Sequence, residues 1–213
     1  MLIEFIFRWL HVLFGITWIG LLYYFNFIQG GYFKAATPEG LADAKAKLAP
    51  EALWWFRWGA MFTFLTGVIL LGYVHGANVL NEYIVLGALM GTFMFLNVWL
   101  IIWPKQKIVL GLVSGSDPTA GPKALLASRT NTLFSGPMAF GMLAGPHLGG
   151  YGLKNMGIEG YSMGTGFLIA LALIILIELN ALFGKLGPIE SVKGVIHSSF
   201  ALTAILFALA YYL

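Results

Sequence analysis

The stretch that decides the fold is residues 7–20, FRWLHVLFGITWIG, which lies inside a long apolar run. As a helix rising about 1.5 Å per residue, this run is long enough to cross a bilayer. Positions three or four apart share a helix face, so the stripe around His11 consists of Glu4, Arg8, Gly15 and Trp18. Ionisable groups at membrane depth are costly, which favours a functional site facing the bundle interior. The glycine would let a flat, bulky group approach the backbone beside the histidine, as a haem-ligating helix requires.

The composition is that of an integral membrane protein. The chain has 213 residues, of which 59% are hydrophobic and only 10% charged, whereas soluble domains are about 25% charged. We therefore expect an all-α transmembrane bundle that forms a single domain over residues 1–213. The chain contains no cysteine, which excludes disulfides, thiolate metal sites, iron–sulfur clusters and covalently attached c-type haem. The net charge of +3 falls in loops and gives no indication of nucleic-acid binding.

Apolar runs and turn signals predict six transmembrane helices. Their expected bounds are 2–28, 52–75, 80–103, 122–145, 162–184 and 190–212. The first is expected to be a retained span and not a signal peptide, because it has neither a basic n-region nor a small-residue cleavage site. Residues 38–50 are expected to form a linker with a short surface helix, Pro104 to end the third span and Pro137 to kink the fourth.

Basic residues divide unequally between the two ends of the predicted bundle. With six spans, the end that holds both termini carries Arg8 and Lys154, two of the 12 Lys and Arg residues. The other end carries the rest, namely Lys34, Lys45, Lys47, Arg57, Lys105, Lys107, Lys123, Arg129, Lys185 and Lys193. Because the loops are short, the positive-inside rule predicts that both termini lie on the non-cytoplasmic side, called the outer side below.

Polar residues from five predicted helices fall at similar depths in the inner half of the bundle. They are Arg57, Asn97, Arg129, Asn131, Glu178 and His197. We expect them to converge, with Arg129 and Glu178 neutralising each other as buried charges usually do. The alternative is that this pair is purely structural and holds the fourth and fifth helices in register.

The other three histidines belong to the outer half or outer surface. His11 is either a ligand or a buried imidazole bonded to a neighbouring carbonyl group. His75 ends a helix before Gly76, so an interfacial cap is the simplest interpretation of it. His147 admits the same interpretation on the residues alone.

Several motifs resemble the membrane domain of the bacterial membrane-bound urate oxidases, also called urate hydroxylases. They occur in the order RWLHV (8–12), GITWIG (15–20), WFRW (55–58), LTG (65–67) and ASRTN (127–131), followed by Pro137 and His147. The first-helix pattern of His11 with Trp18-x-Gly20 is also similar to the bacterial membrane haem-binding protoporphyrinogen oxidases. In that family the first-helix histidine ligates haem b, so the likeness implies ligation by His11.

The chain departs from the longer urate oxidases in three respects. Those proteins have about eight spans and a C-terminal cytochrome c domain, and usually carry His where this chain has Thr130. The present sequence has six predicted spans and no Cys-x-x-Cys-His motif. The resemblance therefore implies a short form in a bacterial inner membrane, which passes electrons to a separate cytochrome c or forms part of a larger membrane redox complex. Whether it is catalytic by itself stays open.

The resemblance implies one haem site and one substrate site. Haem b would lie in the outer half, with His11 as one axial ligand of the iron and His147 or His75 as the other. Arg8 would pair with a propionate group, and Gly15 and Trp18 would line the haem. Urate is a planar anion, which Arg57 or Arg129 would hold, with Glu178 or His197 as the proton acceptor.

Two other classes of function remain as alternatives. The first is a non-catalytic structural or electron-relay subunit of a larger redox complex. The second is a transporter, against which stands the lack of an internal repeat between the first and last three spans.

Overall fold

A computed structural model describes residues 2–148, 156 and 162–213 of the chain. Six long helices run through the described residues: α1 Leu2–Ala35, α2 Pro38–Gly76, α3 Glu82–Val109, α4 Ala120–His147, α5 Thr165–Phe183 and α6 Val192–Tyr212. A short 3₁₀ turn, Gly187–Ile189, precedes α6. The predicted all-α bundle is therefore confirmed. Lys154, which the charge count placed on the outer side, lies outside the described residues.

Five of the helices, all but α4, are long and apolar enough to cross a membrane. The protein is thus a multi-pass membrane protein. The α4 helix is 28 residues long, about 42 Å at 1.5 Å per residue, so length alone would let it span. It stays a prediction that α4 also crosses the membrane, which would make six spans, and that the termini lie on the outer side.

Two helices continue past prolines that were expected to stop or precede them. In α3, Pro104 follows a wide π turn at Asn97–Ile102, and the helix runs on to Val109. In α2, Pro50 follows a similar turn at Ala44–Leu48. A proline ring clashes with the carbonyl four residues earlier in a regular helix, and a wider turn relieves that clash. The predicted end at Pro104 is therefore wrong. The short helix expected within 38–50 is present, but it continues into α2 and is not part of a separate linker.

Both α1 and α2 are longer than the hydrocarbon core of a bilayer is thick. The α2 helix has 39 residues, about 58 Å, against about 30 Å for the core of a bilayer. Only Ala36 and Thr37 separate it from α1. Thr37 caps α2 by accepting a hydrogen bond from Gly40 N at 3.2 Å, and Pro38 takes the first helical position, where its missing N–H costs nothing. The segment around this turn, which carries Lys34, Lys45 and Lys47, is thus a helical hairpin, called the inner hairpin below.

The α4 helix occupies the centre of the bundle. It packs against α1, α3, α5 and α6, and every residue from Arg129 to Ser135 is buried. A run of seven buried residues covers the whole circumference of a helix, so this segment has protein on all sides. Pro137 lies inside the helix without interrupting it, and the kink expected there stays a prediction.

Glycines bring α3 and α4 into close contact. Gly87 and Gly91 face the segment of α4 that contains Gly141, and a Cβ atom on Gly141 would lie 2.6 Å from the Tyr83 carbonyl oxygen. Small residues four apart let two helix backbones approach in this way within a membrane. The contact sets the register in which the polar side chains of these two helices meet.

We expect Gly141→Ala to destabilise the bundle by about 1–3 kcal/mol, because the added methyl group overlaps backbone that cannot move away easily. Thermal unfolding in detergent, followed by circular dichroism, measures the effect. Gly72→Ala is the matched control, since a Cβ there meets nothing within 4 Å. Equal unfolding temperatures for the two variants would contradict the packing described here.

The segment between α3 and α4 is tied down by Asp117. Its carboxylate accepts hydrogen bonds from Lys105 Nζ at 2.8 Å and from the Thr119 backbone and hydroxyl at 2.9 and 2.7 Å. The Lys105 bond, followed by those from Thr119, holds the pKa of Asp117 well below its usual range. A lowered carboxyl pKa means that the folded state binds the proton more weakly than the unfolded state, so the tie stabilises the fold above the ordinary Asp pKa.

Wild type and Asp117→Asn should therefore differ in thermal unfolding midpoint at neutral pH. The difference should begin to shrink below about pH 4, the ordinary Asp value, and vanish as the pH falls through the lowered pKa. Asp43→Asn, at an exposed carboxylate of the inner hairpin, serves as the control. A difference that grows on acidification would refute the assignment.

Candidate functional site

A buried hydrogen-bond network joins α3, α4 and α5. Asn131 Nδ2 donates to the Met94 carbonyl at 2.9 Å. Asn97 Nδ2 donates both to Asn131 Oδ1 at 2.9 Å and to Glu178 Oε2 at 3.1 Å. Asn97 and Asn131 are 1% and 0% exposed, and Glu178 is 8% exposed. Three of the predicted inner polar residues therefore meet in the core.

The direction of every bond in this network follows from one backbone carbonyl. The Met94 oxygen can only accept, so it fixes the amide nitrogen of Asn131 toward α3. The Asn131 oxygen then faces Asn97, which must present its own nitrogen. The second hydrogen on that nitrogen points at Glu178. The carboxyl group is thus an acceptor at Oε2.

The predicted ion pair between Arg129 and Glu178 is not formed. Two residues along an α-helix correspond to a rotation of about 200°, so Arg129 points away from the side of α4 that carries Asn131. It lies instead on the side of Gly136, where α4 meets Ser199 of α6. Arg129 is 8% exposed, and its Nε and Nη1 atoms have no hydrogen-bond partner among the described residues.

Arg57 and His197 lie outside this network. The Arg57 guanidinium carbon lies 3.9 Å from the centre of the Trp103 ring, a cation–π contact. Trp58 and Trp99 are close to the same group, at 5.9 and 6.0 Å. His197 is exposed on α6. Polar residues from five helices were expected to converge, but only those of α3, α4 and α5 do so.

A pocket of about 450 Å³ opens beside the network, between α4, α5 and the turn before α6. Thr130, Asn180 and Lys185 supply its polar lining. Neither Arg129 nor Glu178 lines it, so the pocket by itself does not unite the predicted substrate residues.

In the outer half, His11 contacts α2 through one ring nitrogen. His11 Nδ1 lies 2.9 Å from the Thr63 carbonyl oxygen and 3.1 Å from Thr66 Oγ1. A carbonyl only accepts, so Nδ1 carries the ring proton and Nε2 keeps its lone pair. The ring lies against Gly67, where a Cβ atom would be 3.0 Å from His11 Cε1. This arrangement agrees with the interpretation of His11 as a carbonyl-bonded imidazole, and it leaves Nε2 without a hydrogen bond to any described residue.

Gly15 and Trp18 serve helix packing. Gly15 lies opposite the Thr63 methyl group of α2. Trp18 is 2% exposed, and Gly59 of α2 lies against the Trp18 backbone. The face that they share with His11 is therefore covered by α2, and the open slot expected beside Gly15 is not present there. Arg8 is bound to Glu4, with 2.7 Å between Nη2 and Oε1.

The register of α1 and α4 brings His11 and His147 to one level. The Tyr23 hydroxyl donates to Ser135 Oγ at 2.9 Å. From Tyr23 back to His11, and from Ser135 on to His147, the chain covers the same number of residues, about 18 Å of helix in the same direction. His75 lies about 13 Å further out than Thr66, the neighbour of His11. Both His75 and His147 are exposed.

Sequence reasoning missed the partners that position the outer histidine. Thr63 and Thr66 are polar residues one turn apart in an apolar helix, which is a signal that could have been used. Their link to His11 depends on how α1 and α2 pack, which spacing within one helix does not reveal. No group of three or more His, Asp or Glu side chains suited to a metal ion is present among the described residues.

Asn131→Leu should destabilise the bundle by about 1–3 kcal/mol, because it removes the partner of a buried carbonyl and of a buried amide. Thermal unfolding in detergent measures this loss. Thr92→Val is the control, since the Thr92 hydroxyl bonds only Ala88 of its own helix. A loss no greater than that of the control would show that the network adds little to stability.

The comparisons bear on the region that contains this network. The family model described as "Urate oxidase N-terminal" matches residues 78–174, just under half of the chain. Asn97, Asn131 and His147 fall inside the match, whereas His11 and Glu178 fall outside it. Comparison with the curated proteins and with the solved structures returned no match. Over residues 78–174, the chain is thus similar to the urate oxidase N-terminal family, as its motifs predicted.

Proposed function

We propose that the protein is a membrane redox protein of the urate oxidase type. It binds haem b in its outer half and passes electrons to a separate cytochrome c or respiratory partner of a bacterial inner membrane. Two observations support the proposal: the family similarity over residues 78–174 and the free Nε2 of His11 in a chain that spans the membrane several times.

The setting of His11 is the observation that carries the haem assignment. Histidines that ligate metals usually donate their other ring N–H to a carbonyl or carboxylate group, which fixes the tautomer and orients the ring. The Thr63 carbonyl does this for His11 at 2.9 Å. The donor set therefore fits a haem iron, although the packing of Gly15 against α2 means that haem would approach from another side.

His147 is the second ligand in this proposal. It shares the level of His11, whereas His75 lies nearer the outer end of the bundle. Two axial histidines favour electron transfer, and haem b supplies the one-electron chemistry when bound. The chain itself contributes the oriented imidazoles. Arg8, one turn outward from His11, contributes a positive charge. It is paired with Glu4, and it would have to leave Glu4 in order to bind a propionate group.

Arg129 is the better of the two candidates for holding a planar anion. It is buried, and two of its nitrogens have no hydrogen-bond partner in the part of the chain that the structure describes. The Arg57 guanidinium, in contrast, packs against the Trp103 ring. A guanidinium offers paired N–H groups suited to an anion such as urate. Urate as substrate remains part of the proposal.

The visible spectrum of the detergent-purified protein, oxidised and reduced, tests the haem assignment. We expect wild type to show low-spin haem b, His11→Ala to lose the haem and His147→Ala to become high-spin and bind carbon monoxide. His75→Ala is the matched control and should keep the wild-type spectrum. An unchanged spectrum in His11→Ala, or colourless wild type made with ample haem, would overturn the proposal.

One observation favours the alternative of a non-catalytic or electron-relay subunit. The α1 helix is the least buried of the five apolar helices and exposes Phe5, Trp9, Val12 and Ile16. This surface is available to lipid or to another subunit. Stoichiometric co-purification with other redox subunits, without turnover by the isolated chain, would support this second function.

A further inference from the structure

Glu178 is an acidic residue in the second half of a membrane helix. It lies 13 residues after the start of α5 at Thr165 and five before its end at Phe183, and more than nine-tenths of it is buried. A carboxylate at such depth is strongly disfavoured unless a cation or several hydrogen-bond donors compensate it. What surrounds Glu178 therefore decides its charge.

The neighbouring helices bring no cation into contact with Glu178. On α3 its neighbour is the neutral amide of Asn97. Arg129 on α4 points toward α6, and the basic residues at this end of α6, Lys193 and His197, are exposed. Among the described residues, no Lys, Arg or His nitrogen is within salt-bridge distance of the carboxyl group.

The hydrogen bonds on Glu178 suit a neutral acid. One donor, Asn97 Nδ2, reaches Oε2, and Oε1 has no hydrogen bond from a described residue. An ionised carboxylate would need more donors to replace lost water. A protonated acid would carry its proton on Oε1 while Oε2 still accepts from Asn97. Its O–H then has no acceptor among the described residues, but one unpaired neutral donor costs much less to bury than an ionised carboxylate.

We infer that Glu178 is a proton-binding site in the membrane interior, whose carboxylate takes up a proton at Oε1 while Asn97 continues to donate to Oε2. The uptake is one proton added to one carboxylate, and no other species is consumed. The Met94 carbonyl keeps the amide network in the orientation that serves both forms. This inference rests on contacts alone and holds whether or not the protein binds haem.

Dicyclohexylcarbodiimide, an apolar reagent, tests this site in the full-length protein in proteoliposomes. The O–H of a protonated carboxyl adds across the carbodiimide, and acyl transfer to nitrogen leaves a stable N-acylurea with no leaving group. We expect mass spectrometry to map this adduct to Glu178 at neutral pH, with labelling lost as the pH is raised. Mapping in wild type keeps the test valid even if a variant fails to fold.

Variants sharpen the result. Glu178→Gln should lose the label, and Glu190→Gln, which changes an exposed carboxyl before α6, should keep it. Asn97→Ala removes the donor that favours the ionised form, so labelling should persist to higher pH than in wild type.

Three outcomes would overturn the inference. The first is an unmodified Glu178 in wild type at neutral pH. The second is protection by sodium ions at constant pH, which would make the group a metal-cation site. The third is labelling that appears only in Arg129→Gln, which would mean that Arg129 keeps the carboxylate ionised through space.

Discussion

The hydrogen bond from Asn131 to the Met94 carbonyl is the contact on which the inner half of the bundle depends. It crosses from α4 to α3 at 2.9 Å, orients Asn131, and through Asn131 orients Asn97 toward Glu178 on α5. In the hydrocarbon region of a membrane there is no water to bind polar groups, so hydrogen bonds within the protein stabilise them strongly. A single backbone acceptor thus determines how three helices present their polar side chains.

The same requirement explains why α4 lies in the centre. Its polar residues are unsuited to lipid, and its partners lie on several neighbours: Ser128 binds Asn26, Ser135 binds Tyr23 and Asn131 binds Met94. Glycines on α3 and α4 then let these two backbones come close enough for the bond between Asn131 and Met94. Polar satisfaction and close packing thus act together where α3 meets α4.

The two proposed sites occupy different levels of the bundle. The His11 imidazole is held by α2 in the half that the charge distribution assigns to the outside, and Glu178 lies toward the basic, inner end. They are therefore separated along the axis of the bundle. Neither site shares a residue with the other, so each can be tested alone.

The apolar runs by themselves determined that the chain forms membrane helices, and five of the six predicted spans correspond to helices that meet the requirements of length and hydropathy. Their ends were harder to predict, because a proline after a wide turn does not stop a helix, as Pro50 and Pro104 show. The sequence also pointed to Asn97, Asn131 and Glu178, because polar residues are conspicuous in apolar runs. Only the tertiary structure decided which of them meet. Rotation about each helix axis turns Arg129 away from Glu178, and the packing of α1 on α2 supplies Thr63 to His11; neither follows from spacing along one chain segment.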